Sequence, residues 1–165
     1  MYKGQKVVAV VDGTQERGQQ ALWPLGERPV LWHLLTRLES VPSVDEVLIL
    51  VDEGEQEIPA LLGWMGVEGV TIFYGGGGDI LERVYQALSP EPPPVVVPLG
   101  VERPLFSPDY LEVMITYLID AGLDGVHAAP EKTGITPGLD VQALRYQALV
   151  DAHLLALDPR MREEI

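Results

Sequence analysis

Short apolar runs alternate along this chain with stretches whose apolar residues recur every three to four positions. Val7–Val11 is a continuous, mostly β-branched run, the pattern of a strand buried on both faces. A glycine-bearing polar loop, Gly13–Gln20, follows it. Pro29–Leu38 then places Leu31, Leu34, Leu35 and Leu38 on one stripe and predicts a helix. The alternation repeats. Val44–Val51, Val70–Tyr74, Val95–Leu99 and Gly125–Ala129 read as strands, and 55–65, 80–88, 108–121 and 145–157 read as helices. Asp79 stands as an N-cap before Ile80, and Ser107 with Pro108 opens the helix that ends before Gly122.

Strands that alternate with helices predict an α/β three-layer sandwich with a mostly parallel sheet. Ligands of such sheets sit beyond the carboxyl ends of the strands. The loops after Val11, Tyr74, Leu99 and Ala129 are therefore the candidate site. Ser89–Pro94 is a stiff connector too short to link domains, so the expectation is one domain over 1–165.

The chain of 165 residues is 47% hydrophobic, ample for a sizeable core. It has no cysteine, which excludes disulfides, thiolate metal sites and cysteine nucleophiles. The net charge of -14 and the scattered bases argue against nucleic acid and anionic lipid as partners. No apolar run is long enough for a membrane helix, and the start of the chain lacks the apolar stretch of a signal peptide. The expected location is cytoplasmic.

The loop after the first strand is shaped for phosphate but carries one base, Arg17, beside Glu16. Gly13 and Gly18 have P-loop spacing, yet Gln19–Gln20 stand where Lys-Ser/Thr is needed, and the dinucleotide fingerprint is also absent. The run Gly75–Gly78 is a flexible turn or a place for backbone to approach a ligand. His33, His127 and His153 have no metal-ligand spacing and read as structural or surface residues. Trp23, Trp32 and Trp64 read as core or interface residues. Glu102 and Asp140 are the acids placed at the predicted active edge. Two carboxylates converging there would suit Mg²⁺.

Four blocks, in order, resemble the nucleotide-sugar cytidylyltransferases, in particular the branch of spore-coat polysaccharide synthesis and the acylneuraminate enzymes. Pro24–Leu31 is similar to P-L-G-x-x-P-L-L. Gly75–Ala87, which includes Gly78, Asp79 and Arg83, resembles G-x-x-x-D-V-L-x-R-Y-x-x-A. Leu99–Pro108 resembles T-G-D-x-P-L-x-x-P. Pro137–Val141, followed by Ala148–Ala152 and Arg162-Glu163, is similar to P-x-G-x-D-V…A…R-E-H.

The resemblance implies a Rossmann-like, GT-A-like nucleotidyltransferase fold. It implies transfer of a nucleotidyl group from CTP or another nucleoside triphosphate to a sugar or sugar phosphate, with release of pyrophosphate. The nucleotide-binding set would be Gly13, Thr14, Arg17, Gln20, Gly78, Asp79 and Arg83. Glu102 and Asp140 would hold Mg²⁺, and Arg17, Glu102 and Asp140 would form the catalytic set.

The chain departs from that family at the triphosphate loop. The family's Arg falls on Glu16, its Lys on Gln20, its first metal-binding Asp on Glu102, and the acid after the later Asp on Gln142. At ~4 Å and an effective dielectric of about 20, each unit of charge is worth roughly 4 kcal/mol. The exchange is therefore expected to weaken triphosphate binding or transition-state stabilisation on the order of 10²–10⁴-fold. Two functions follow: an active cytidylyltransferase-type enzyme, or a degenerate homologue that binds a nucleotide or a protein without turnover. Trp23 with Pro24–Leu25 offers an apolar interface to a second copy. The chain ends at Ile165, where the family motif leads into a further segment.

Overall fold

The computed structural model describes residues 1–67, 69–75, 78–136, 138–156 and 158, with only the main chain of Glu16 and Glu131. Gly76 and Gly77 of the glycine run, Pro137, Leu157 and the Arg162-Glu163 pair lie outside the described residues.

The elements run β1 (Val7–Asp12), α1 (Glu16–Leu22), β2 (Pro24–Leu25), β3 (Arg28–Pro29), α2 (Val30–Glu39), β4 (Glu46–Val51), α3 (Glu57–Met65), β5 (Val70–Tyr74), α4 (Ile80–Leu88), β6 (Val95–Gly100), α5 (Pro108–Ala121), β7 (Gly125–His127), α6 (Pro130–Thr133), β8 (Gln142–Arg145) and α7 (Tyr146–Leu155). The main sheet has the order β5-β4-β1-β6-β8-β7. Its first four strands are parallel, whereas β8 runs antiparallel to both β6 and β7. Alternate residues of β1 bury on opposite faces, as a pleated strand requires. Val7, Ala9 and Val11 pack with the apolar sides of α2, α3 and α5, and Val8 and Val10 pack with those of α4 and α7. The result is the expected three-layer sandwich, with a mixed, mostly parallel sheet.

The helix ends follow local chemistry. The Asp79 carboxylate accepts from the Glu82 amide at 2.8 Å, and Ser107 Oγ accepts from Tyr110 N at 3.3 Å. Gly122 closes α5 in the left-handed region at φ 63°, where a side chain would be strained.

The structure also departs from the sequence reading. Glu16–Leu22 is helix rather than loop. It buries only small residues, so no apolar stripe announces it. Pro24 ends it, because the residue before a proline is driven to an extended conformation, as at Trp23. The four-residue strand β8 is too short to carry a periodic signal, and α7 begins after it. Of the three tryptophans, Trp32 is half-buried. Trp23 and Trp64 are exposed, and Arg28 lies over the rings of Trp32 at 5.5 Å and Trp64 at 5.7 Å.

The sheet order creates the cleft. The chain passes from β1 outward to β4 and β5, then crosses to the other side of β1 at β6. This reversal leaves a crevice beyond the carboxyl ends of β1 and β6. β8 pairs with β6 only at Val95 and Val96. Pro98, further along β6, has no N–H with which to extend that ladder. β6 and β8 part there, and Pro98 becomes a wall of the cleft.

Candidate nucleotide site at the carboxyl ends of β1 and β6

The cleft has two lobes that share part of their lining. One of about 450 Å³ is lined by Asp12, Arg17, Pro98, Glu102, Arg103, His127, Asp140 and Gln142, among others. The other, of about 480 Å³, is lined by Asp12, Thr14, Gln15, Arg17, Gln20, Arg83 and Glu102. Asp12, Arg17 and Glu102 belong to both and mark the neck between them.

The loop after β1 is held from below. Gly13 donates to Leu50 O at 3.0 Å. A Cβ on Gly13 would lie 3.1 Å from both Leu50 O and Ile58 Cδ1, and one on Gly18 would lie 2.7 Å from Gly13 O. These two glycines therefore let α1 settle onto the end of β1. Thr14 is buried, and its hydroxyl and amide both donate to Asp12 Oδ1, at 2.6 and 3.1 Å. Gln15 takes a positive φ of 54°, and its amide donates to Asp52 Oδ2 at 2.7 Å.

Across the neck, acids and bases alternate. Arg17 donates to Asp12 Oδ2, and its Nε lies 3.6 Å from Glu102 Oε2. Arg103 Nε lies 3.8 Å from Glu102 Oε1, and its Nη1 donates to Asp140 Oδ2 and, at 3.2 Å, to Asp140 O. His127 Nε2 stands 3.9 Å from Asp140 Oδ2. Burial works against the charged form of Asp140, but the Gly138 amide at 2.8 Å and the Arg103 guanidinium outweigh it and hold the carboxyl below its usual range.

Arg83 is of a different kind. Its side chain is only 5% exposed, and its Nη1 is 4.0 Å from Asp52 Oδ1, beyond hydrogen-bond reach. Its Nε is buried without a hydrogen-bond partner among the described residues. Leaving such a donor unpaired costs about 1–3 kcal/mol.

Of the residues singled out in the sequence, Arg17, Glu102 and Asp140 share the first lobe, and Thr14, Arg17, Gln20 and Arg83 share the second. Gly13 supports the loop from behind. Gly78 and Asp79 are found at the head of α4, where Asp79 caps the helix. Asp12, Arg103 and His127 join the site unannounced by any motif. Their common signal is position, since each lies at or just beyond the carboxyl end of β1, β6 or β7.

Glu102 and Asp140 do not fit a magnesium ion as arranged. Mg²⁺ needs oxygen ligands at 2.0–2.1 Å in octahedral array. Here one guanidinium stands between them, hydrogen-bonded to Asp140 Oδ2 and 3.8 Å from Glu102 Oε1. A dication about 4 Å from that guanidinium would be opposed by about 8 kcal/mol at an effective dielectric of about 20. Among the described residues, no three acidic or histidine side chains converge on a metal position. No described helix is long and apolar enough to cross a membrane.

No family model matches the chain. An uncharacterized protein of Methanocaldococcus jannaschii is 25% identical over 163 residues, and the chain spans 65% of that relative's length while 97% of its own is covered. Among solved structures, a cytidylyltransferase from Leptospira borgpetersenii superposes with a TM-score of 0.79 at 20% identity, over 96% of this chain and 67% of that one. A CMP:2-keto-3-deoxy-manno-octonic acid synthetase complexed with CTP gives 0.74 at 14%, over 97% and 83%. The 4-diphosphocytidyl-2C-methyl-D-erythritol synthase of Anaerococcus prevotii gives 0.69 at 16%, over 98% and 82%. The fold is the one these three solved structures share.

Proposed function

We propose that the chain is a nucleotidyltransferase of the cytidylyltransferase type. It binds CTP, or another nucleoside triphosphate, in the two-lobed cleft. It passes the nucleotidyl group to a sugar or sugar phosphate and releases pyrophosphate, in the making of a surface-polysaccharide precursor. The observation that carries this reading is Arg83. Its guanidinium lines a lobe with Thr14, Gln15 and Gln20, makes no hydrogen bond to its nearest acid, Asp52, and carries the fixed positive charge that an anion there requires. That lobe lies against the loop after β1, where this fold places ligands. The CTP held by the octonic acid synthetase of the same fold supports the choice of nucleotide.

In this reading Arg83 and Arg17 take the phosphates, and the Gly13–Gln20 segment gives them their bed. The sugar enters the lobe of His127, Asp140 and Gln142. An acceptor oxygen attacks the α-phosphorus in line with the departing pyrophosphate. Positioning and the fixed positive charges of Arg17 and Arg103 lower the barrier.

A second reading, a nucleotide-binding or protein-interaction module without turnover, is favoured by the way Arg17 and Arg103 are spent on Asp12, Glu102 and Asp140. A pyrophosphate-release assay separates the two. CTP with a panel of sugar acids and sugar phosphates is expected to release pyrophosphate only when both substrates are present. Nucleotide binding with no release from any pair would leave the second reading.

A further inference from the structure

We propose that the guanidinium of Arg103 takes the place of a divalent cation between Glu102 and Asp140, so that the cleft engages its anionic ligand without a metal. The ligand's identity rests on the nucleotide reading above; the exchange of guanidinium for cation does not.

Three carboxylates, from Asp12, Glu102 and Asp140, face the cleft. Left alone they would repel a polyphosphate and demand a dication. Instead Arg17 hydrogen-bonds Asp12 and ion-pairs with Glu102 at 3.6 Å, and Arg103 hydrogen-bonds Asp140 and ion-pairs with Glu102 at 3.8 Å. The alternating chain of five charges lowers the local sum from three negative to one.

The position of Arg103 is built rather than incidental. Its amide donates to Gly100 O at 3.1 Å, which folds the turn after β6 and aims the side chain across the cleft. Its Nη1 then takes two acceptors of a single residue, Asp140 Oδ2 and Asp140 O. Asp140 is fixed in turn, its Oδ1 accepting from the Gly138 amide at 2.8 Å. A guanidinium offers planar donors and no lone pair, so it matches carboxylates and phosphates directly and cannot ligate a metal. Glu102 folds back over Gly100, where a Cβ would lie 2.1 Å from its carboxylate oxygens. Glycine at that position leaves room for Glu102 to reach both arginines.

The test is a gain of function. Mn²⁺ is titrated into the wild type, Asp140→Asn, Arg103→Ala, Arg103→Gln and the double variant Arg103→Ala/Asp140→Asn, with free Mn²⁺ read by electron paramagnetic resonance and folding checked by thermal melting. The wild type is expected to show no Mn²⁺ site tighter than millimolar. At least one folded single variant should bind about tenfold tighter or more, and the double variant should lose that gain. A wild-type Mn²⁺ site of micromolar affinity that Asp140→Asn abolishes would overturn the proposal, as would folded single variants without any gain. CTP is titrated in parallel in EDTA and in excess Mg²⁺, with affinities expected to agree within about threefold. A strict Mg²⁺ requirement would overturn the proposal too. If CTP binds no form under either condition, the nucleotide reading falls, and the Mn²⁺ series still decides the role of Arg103.

Discussion

Arg103 bonds twice to Asp140, donating from Nη1 to the carboxylate and, at 3.2 Å, to the main-chain carbonyl oxygen. The two residues are 37 positions apart, and their pairing joins the turn after β6 to the segment that leads into β8. The antiparallel end of the sheet is thereby fastened to its parallel body at the site.

This pairing makes stability depend on pH. The folded state holds the Asp140 carboxyl below its ordinary value, so the unfolded chain binds that proton more tightly. The stabilisation is complete above the unfolded pKa of about 4 and is lost as pH falls through the lower folded value. Asp140→Asn is expected to lower unfolding free energy at neutral pH by about 1–3 kcal/mol and to flatten its fall in acid. Urea melts of both proteins between about pH 7 and pH 3 check this. An unchanged acid limb in the variant would count against it.

Two glycines are expected to respond in opposite directions. A methyl on Gly18 would lie 2.7 Å from the carbonyl oxygen of Gly13, so Gly18→Ala must push α1 off the end of β1. The expected cost is about 1–3 kcal/mol, with weakened nucleotide binding. Gly63 lies within α3, exposed, and a Cβ there would meet nothing within 4 Å. Gly63→Ala is expected to stabilise by about 0.5–1 kcal/mol. Thermal melts of the two variants should bracket the wild type.

Gln15 is held at φ 54° and ψ -134°, a conformation natural to glycine and strained for any residue with a side chain. The bond from its amide to Asp52 keeps it there. Gln15→Gly is expected to raise stability by about 1 kcal/mol, because the released strain exceeds the entropy that glycine loses on folding. A fall in the denaturation midpoint would show that the Gln15 side chain supplies contacts that outweigh the strain.

The central strands were legible because a strand covered on both faces must be apolar throughout, as Val7–Val11 and Val95–Val97 are. The helices α4 and α5 were legible because Asp79 and Ser107 cap them in view. Helix α1 was not, since it packs through glycine and alanine, and a tight approach of small residues leaves no apolar stripe. In the site, Glu102 and Asp140 were readable from their blocks. Their engagement with Arg103 was not, because it depends on β8 turning back beside β6. Asp12 stands in sequence only between the Val7–Val11 run and the glycine loop, and the fold reveals it as the acid that receives Arg17.

The proposed function depends on whether the lobe beside Arg83 receives a nucleotide. Calorimetric titration of CTP into the wild type and Arg83→Met answers this, because methionine keeps the buried stem and removes the guanidinium. Saturable wild-type binding tighter than millimolar is expected, weakened about tenfold or more in Arg83→Met with no loss of thermal stability. Equal affinity in the two proteins, or no wild-type binding of CTP or any other nucleoside triphosphate below millimolar, would contradict it.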